Sequence, residues 1–470
     1  GGESMVTKKD VAVLGGGPGG YVAAIRSAQL RKKVVLFEED AVGGTCMNYG
    51  CIPTKYLLHQ TKIYREIKSS KMLDGPVDQI ACNWTKVQEG KRKVVDRLVR
   101  GVEFLLQRNG VELVKAKAGL KDERRVVART KDGEKIFEAE KIILATGSRS
   151  AELPFLKIDG KEIVTSRETL DFTTIPKKLL IIGAGAIGIE MGTIYGRMGT
   201  EVTILEIMPT VLPGCDKEMA VRLELVLKKQ GLKVFTQMKI EQCVKGDGRV
   251  VLKGTDLKSQ TPFEFEAEHV LLAAGRRANF ETIHDSVPFV AMNKYGCVEV
   301  NEKLETNVPG IYAIGDLIGG KLLAHKASHE GLAAAANAWG GNEIVDYPAL
   351  PMAVFTDPEF ASVGLTAEEA KQGTDHIRTG VFSFQGNGRA LTMDSPEGQV
   401  KIVADRGDHI LGAHILGPSA SDLIAELTLA MHKGLTVGDV ASSIHVHPTL
   451  SEAVMEAALK VRGEAIQALN

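Results

Sequence analysis

The 470-residue sequence is poor in aromatics (5%), with two tryptophans, has only six cysteines, and carries a net charge of −1. So even a balance gives no electrostatic case for nucleic acid or an anionic membrane surface. No apolar run approaches the ~20 residues of a membrane-spanning helix. Six cysteines in so long a chain do not make a secreted disulfide scaffold. A reducing compartment is favoured, where a disulfide is usually catalytic and transient. The expected location is the cytoplasm, or the mitochondrial matrix if a transit peptide has been removed. Gly1-Gly2-Glu3-Ser4 before Met5 has no signal-peptide apolar region and reads as an expression scar. Hydrophobic content of 44% and charged content of 25% are ordinary for a globular protein. The length suggests roughly three domains.

What is present is more specific. The segment from Gly43 to Lys55 places Cys46 and Cys51 in a Cys-x-x-x-x-Cys arrangement just after a glycine-rich loop. A zinc knuckle needs a second ligand pair nearby, but Cys82, Cys215, Cys243 and Cys297 are scattered singly. A redox pair is the favoured reading, a structural or metal pair the alternative, and no metal is expected. On a regular helix this spacing rises about 7.5 Å and turns off one face. A disulfide needs Cα atoms within about 7 Å. The backbone must therefore leave the helix between the cysteines, and Asn48 and Gly50 tolerate that. Cys51 should sit where a helix begins or resumes, with Pro53 in its first turn. A helix N-terminus lowers a thiol pKa.

A nucleotide-binding pattern occurs twice. Asp10 to Leu14 reads as a buried strand, Gly15-x-Gly17-x-x-Gly20 as a tight turn, Tyr21 to Leu30 as a helix, and Val34 to Phe37 as a second strand ending in Glu38. The glycines let the backbone approach a pyrophosphate, and the helix start offers free N–H groups. Leu179 to Ile182, Gly183-x-Gly185-x-x-Gly188 and Val202 to Leu205 repeat the pattern, ending in Glu206. Each acid lies 23 residues past the first glycine of its loop, where a carboxylate accepts from ribose hydroxyls. Each copy is followed by an apolar strand running into a small-residue turn, Ile142 to Gly147 and Val270 to Gly275. Two dinucleotide sites are implied, one nested in or following the other. Glu206 favours NAD, because its carboxylate would repel a 2′-phosphate and Ile207-Met208-Pro209 supplies no arginine. The alternative is that Glu206 merely ends a strand in solvent.

These residues, with Thr306 to Asp316, Leu323-Ala324-His325-Lys326 and His447-Pro448-Thr449-Leu450-Ser451-Glu452, resemble the flavoprotein pyridine-nucleotide disulfide oxidoreductases. The likeness runs from about residue 8 to the C-terminus and is strongest to the branch that oxidises dihydrolipoyl groups. The resemblance implies an α/β fold with two Rossmann-like dinucleotide-binding domains and a C-terminal α+β dimerisation domain. It implies FAD at Gly15, Gly17, Gly20, Glu38, Gly147, Asp316 and Ala324. It implies NAD at Gly183, Gly185, Gly188, Glu206 and Gly275. Leu323 to His325 would open a helix facing the flavin pyrimidine, where its positive end stabilises anionic reduced flavin. Lys55 and Glu190 match an ion pair beside flavin and nicotinamide. Cys51 would be the sulfur next to the flavin, and Cys46 the one that exchanges with substrate. His447 would take the substrate thiol proton, with Glu452 fixing its tautomer and charge. His445 is assigned no proton-transfer role. The histidine would serve the other subunit's site, which requires a homodimer.

The implied path passes an electron pair from a dihydrolipoyl dithiol to the Cys46–Cys51 disulfide, to FAD, and as hydride to NAD⁺. Glutathione reductase-like members prefer NADP, against Glu206. Thioredoxin and mercuric reductases carry a C-terminal cysteine pair, but no cysteine follows Cys297. Tyr49 and Thr54 stand where related enzymes often have other residues. A flavin transhydrogenase, or a purely structural subunit of a dehydrogenase complex, would leave the cysteines and His447 without a task. The expected partners are lipoyl-bearing proteins of 2-oxoacid dehydrogenase or glycine cleavage complexes, since no lipoyl domain precedes the first glycine loop. The expected division is 5–149 for FAD, 150–276 for NAD, 277–347 completing the FAD domain, and 348–470 as the interface domain. Pro348, Pro351 and Pro358 mark entry to the last, whose strands should include Gln399 to Val403 and whose helix should span Ser421 to Lys433.

Overall fold

Four consecutive buried residues, Val11 to Leu14, require cover on both faces, as in the middle of a parallel sheet. A computed structural model of the chain describes residues 6–281, 283, 289–374 and 376–470. The remaining positions lie outside the described residues, including the leading Gly1 to Met5 and the first residue of the expected FAD domain. The buried run ends β1 (Thr7–Leu14), and α1 (Pro18–Gln29) leads to β2 (Val34–Glu38), parallel to β1. The helix begins at Pro18 rather than Tyr21, because proline's fixed φ suits a first helical turn and Gly17 takes the cap position. Then come α2 (Gly44–Tyr49), α3 (Cys51–Ser69) and α4 (Trp84–Arg108). β3 (Glu112–Lys115), β4 (Lys117–Leu120), β5 (Arg125–Thr130) and β6 (Gly133–Leu144) complete a sheet ordered β3-β2-β1-β6-β5-β4.

The second unit is inserted into the first. β7 (Ser148–Ser150) leads out to β8 (Ile163–Val164), α5 (Ser166–Leu170), β9 (Lys178–Ile182), α6 (Ala186–Arg197), β10 (Glu201–Leu205), α7 (Lys217–Lys229) and β11 (Lys233–Phe235). A meander of β12 (Met238–Gly246), β13 (Arg249–Asp256) and β14 (Thr261–Ala267) precedes β15 (His269–Leu272). The parallel sheet has order β11-β10-β9-β15-β8. β16 (Arg276–Ala278) returns antiparallel to β7, so one two-stranded ribbon carries both crossings. β17 (Ile311–Ala313) then rejoins the first sheet beside β6, and α8 (Ala324–Asn337) packs on α1.

The last unit holds β18 (Met352–Val354), β19 (Glu359–Gly364), α9 (Ala367–Gly373), β20 (Ile377–Ser383), α10 (Gly388–Thr392), β21 (Gln399–Asp405) and β22 (Ile410–Gly417). α11 (Ala420–His432), α12 (Val437–Ser442) and α13 (Glu452–Val461) follow. Its antiparallel sheet runs β18-β19-β22-β21-β20. The expected strand and helix are present, with ends shifted by the usual residue or two. The observed α/β architecture, two Rossmann-like units and an α+β unit, is the one the sequence implies. One core spans all three: Ile181, Ile189 and Leu223 of the second unit pack with Leu57 and Trp84 of the first and Phe360 and Leu416 of the third. A buried ion pair reinforces the last junction, Lys401 Nζ to Asp216 at 2.8 Å.

Candidate active site

Each glycine loop meets three separate demands. Gly15 has φ +100, and a Cβ there would lie 2.2 Å from the Ala145 carbonyl oxygen. A Cβ on Gly20 would lie 1.8 Å from the Gly15 oxygen. Gly183 and Gly188 repeat this, at 2.4 Å from Ala273 O and 2.0 Å from Gly183 O. A Cβ on Gly185 would meet nothing within 4 Å, and one on Gly17 only the Gly44 Cα at 3.9 Å, which leaves room for a ligand against the backbone. No side chain caps α1 or α6, so their first N–H groups remain free for a pyrophosphate. A Gly20→Ala substitution is expected to abolish flavin retention, read as the flavin-to-protein ratio after gel filtration. The added methyl meets backbone that cannot move without opening the turn.

The two acids are matched as closely. Glu38 accepts from Gly16 N and Asp40 N, both at 2.8 Å. Glu206 accepts from Ala184 N at 2.7 Å and Met208 N at 2.8 Å. Each carboxylate ties its own glycine loop to the end of the following strand and keeps further lone pairs free to accept hydrogen bonds. Burial raises the Glu38 pKa despite the two N–H donors. Glu206 is buried, so the reading of a strand end in solvent falls.

A continuous cleft of about 2210 Å³ runs between the units. It contains the first glycine loop, both cysteines, Lys55, Gly147, Asp316, Ala324 and Glu190. That volume exceeds the roughly 300–1,000 Å³ of an ordinary small-ligand pocket and suits a dinucleotide. Of the second glycine loop, Ala186 and Ile187 line the cleft, whereas Gly183, Gly185, Gly188 and Gly275, the last at φ +111, are not among its lining residues. A separate hollow of about 610 Å³, bordered by Asp159, Glu268 and His269, contains none of the site residues.

Cys46 lies in α2, and Cys51 opens α3 with Pro53 in its first turn. The helix breaks at Gly50 alone, at φ −143 and ψ −111. Asn48 stays helical, and its amide donates to the Val42 and Gly44 carbonyls at 3.0 Å each. Both cysteines are free thiols, and their side chains share a hydrogen bond. That bond and the positive Lys55 pull the Cys51 pKa down to about 7, against burial. The same bond, burial and the Cys51 charge push the Cys46 thiol up. Cys51 is therefore the thiolate of the pair, as a helix-terminal position favours.

Lys55 Nζ bonds the buried Glu190 at 2.9 Å, and the Phe355 N–H donates to the same carboxylate at 2.9 Å. The Phe355 ring lies 4.5 Å from the Lys55 ammonium. Asp316 accepts from the Ser148 hydroxyl, which in turn accepts from Arg276 Nε at 2.7 Å. Behind this turn, Glu330 accepts from Gly315 N at 2.7 Å, from Tyr347 OH at 2.7 Å and from Lys326 at 2.9 Å. α8 opens at Ala324 without a side-chain cap, presenting free N–H groups to the cleft.

His447 stands apart. Its Nδ1 is 2.8 Å from Glu452 Oε1, and Glu452 Oε2 accepts from Thr449 N at 2.8 Å. Burial would raise the Glu452 pKa, but the Thr449 N–H and His447 hold it below its ordinary value. The imidazole is 79% exposed and does not line the cleft of its own chain. Ile444 and Val446, just before it in sequence, are exposed too. His445 is engaged elsewhere, with Glu426 Oε1 at 2.7 Å.

Residues 9–331 match the family model described as pyridine nucleotide-disulphide oxidoreductase, and residues 350–458 match that family's dimerisation domain. The chain belongs to the pyridine nucleotide-disulphide oxidoreductases. The dihydrolipoyl dehydrogenase of Thermus scotoductus is 43% identical over 468 residues, covering 98% of this chain and 99% of that relative. That of Geobacillus stearothermophilus is 41% identical over 463 residues, covering 98% of each. The crystal structure of LpdA from Mycobacterium tuberculosis superposes with a TM-score of 0.87 at 27% identity, covering 96% of this chain and 99% of that one.

In this oxidoreductase, sequence reading missed Ser148, Arg276, Glu330, Tyr347 and Phe355. One signal was available: Lys326 and Glu330 sit four apart on a helix, the spacing of an ion pair. The others meet only through the fold.

Proposed function

We propose that this oxidoreductase oxidises protein-bound dihydrolipoyl groups with NAD⁺. The observation that carries the reading is the Cys46–Cys51 thiol pair in the cleft between two dinucleotide loops, with Lys55–Glu190 alongside. The cofactors are FAD and NAD. Gly15, Gly17, Gly20, Glu38, Gly147, Asp316 and Ala324 would hold FAD; Gly183, Gly185, Gly188, Glu206 and Gly275 would hold NAD. When bound, FAD supplies the two-electron link between the thiol pair and the nicotinamide.

The chain's own residues do the rest. Glu452 fixes His447 Nδ1, leaving Nε2 to take a proton from a substrate thiol. The substrate thiolate attacks Cys46 Sγ, the Cys46–Cys51 bond breaks, and Cys51 leaves as the thiolate that its lowered pKa favours. The second substrate thiol displaces Cys46, closing the lipoyl disulfide and restoring the Cys46 thiol. Glu190 and Phe355 hold the Lys55 ammonium near Cys51. Glu206, buried and doubly hydrogen-bonded, supports NAD over NADP.

A dimerisation domain goes with a homodimer, and the exposure of His447 supports a site shared between subunits. The proposed division is 5–149 and 277–347 for FAD, 150–276 for NAD and 348–470 for the interface; β17 beside β6 supports the second FAD segment. Lipoyl-bearing proteins of 2-oxoacid dehydrogenase or glycine cleavage complexes are the proposed partners, in the cytoplasm or a mitochondrial matrix. Among the described residues no helix is long and apolar enough to cross a membrane.

Steady-state turnover of dihydrolipoamide, glutathione and thioredoxin, each with NAD(H) and NADP(H), tests the reading. Dihydrolipoamide with NAD⁺ is expected to give the highest kcat/KM. A preference for NADP(H), or for another thiol, would replace it.

A further inference from the structure

The helix that carries Cys46 cannot hold itself. α2 has six residues and none of them is buried, and so short a helix is unstable alone. Side chains fix it instead. Asn48 ties it to the Val42 and Gly44 carbonyls. Tyr49, between the two cysteines in sequence, donates its hydroxyl to Asp40 Oδ2. The Arg167 guanidinium lies 3.8 Å from the Tyr49 ring centroid, and its Nη2 lies 3.5 Å from the same Asp40 oxygen. Asp40 and Tyr49 belong to the first unit. Arg167 belongs to the second: α5 directly follows β8, which pairs with β15. A cation over an aromatic face and a shared carboxylate thus span the boundary between the dinucleotide units. Burial and the Asp40 hydrogen bond push the Tyr49 hydroxyl up to about 12, so it remains a donor at neutral pH.

We propose that Tyr49, Arg167 and Asp40 form a clamp that keeps the reduced Cys46 and Cys51 thiols in contact and so sets their thiol–disulfide equilibrium. The inference rests on the reading of these cysteines as the redox pair. None of the clamp's contacts involves a sulfur, so ring closure leaves them in place, and in the reduced loop they restrict the chain to arrangements close to that closure. Less freedom is then lost when the sulfurs join, and the disulfide is favoured. None of the three side chains needs to touch a substrate; they act through the position of Cys46. In exchange with glutathione, two protein thiols and one oxidised glutathione give the protein disulfide and two reduced glutathiones, and the clamp moves that balance alone.

The test is equilibration of the FAD-loaded enzyme with glutathione redox buffers, followed by counting free thiols. Tyr49→Val and Arg167→Ala are expected to lower the equilibrium constant for disulfide formation roughly ten-fold, about 30 mV. Tyr49→Phe keeps the ring under Arg167 and should fall between them and wild type. Reduced Tyr49→Val should also need a higher pH for alkylation of Cys51, because the Cys46 donor is no longer held against it. Retained flavin absorbance identifies folded variants, and Tyr49→Phe and Arg167→Ala decide the matter if Tyr49→Val does not fold. Equilibria indistinguishable from wild type in these variants would overturn the clamp. His447→Gln, run in parallel, separates the two ideas: it should lose dihydrolipoamide turnover and keep the wild-type glutathione equilibrium. Turnover surviving in His447→Gln defeats the functional reading and leaves the clamp to its own measurement.

Discussion

A Cys51→Ser substitution is expected to cut dihydrolipoamide turnover by more than about 10³-fold, as loss of an obligatory reacting group does, with FAD still bound. Serine cannot form the internal disulfide, so the electron pair of a substrate dithiol has no entry. Among the described cysteines only Cys46 shares a hydrogen bond with Cys51, so no other thiol is placed to substitute. A transhydrogenase acting through flavin alone would survive the change, and persistence of dithiol turnover would therefore remove the disulfide from the reaction. The thiol chemistry has a pH signature as well. The reduced wild-type enzyme should be alkylated by iodoacetamide at Cys51 with a rate that rises through about pH 7 and levels above it, because the thiolate persists above a pKa pulled down to about 7. Lys55→Met removes one of the groups that pull it down, so the rise should move to higher pH. The same midpoint in both proteins would mean that Lys55 does not stabilise the thiolate.

What sequence could tell followed from local constraints. The clash of a Cβ at Gly20 with the Gly15 carbonyl is decided within six residues, so the glycine spacing announces it. The buried strands before each loop show as unbroken apolar runs for the same reason. Glu38 ends the strand directly after its helix and Glu206 directly follows the corresponding strand, and a fixed helix-plus-strand length places them. Asn48 misled, because its tolerance of irregular backbone was weighed without its amide, which instead secures the helix. The polar ties of the cleft join residues far apart in sequence: Lys55 with Glu190, Ser148 with Asp316, Asp40 with Arg167. Such pairs leave no periodicity. Lys55 and Glu190 were found only through family resemblance, and Arg276 and Arg167 were not found.

His447→Gln is expected to lower turnover by about 10² to 10⁴, the usual worth of a positioned general base. Glu452→Gln should cost less, because it keeps a hydrogen bond to Nδ1 and gives up only the charge that favours the imidazolium. The sharper outcome concerns which chain each group serves. In one chain the His447 imidazole projects from the surface among exposed Ile444 and Val446, and the cleft holding Cys46 does not include it. A histidine–carboxylate pair that is exposed and outside the cleft of its own chain supports the proposal that another copy brings the thiols to it. Cys51→Ser and His447→Gln subunits, each inactive alone, should therefore complement after dissociation and reassociation. A mixed two-fold dimer holds one site with both groups intact and one with neither, so random pairing restores roughly a quarter of wild-type activity. If each site were built within one chain, every site in the mixture would lack a cysteine or a histidine, and no activity would return. Recovery thus reports the origin of the histidine directly, whatever the rate constants of the individual steps.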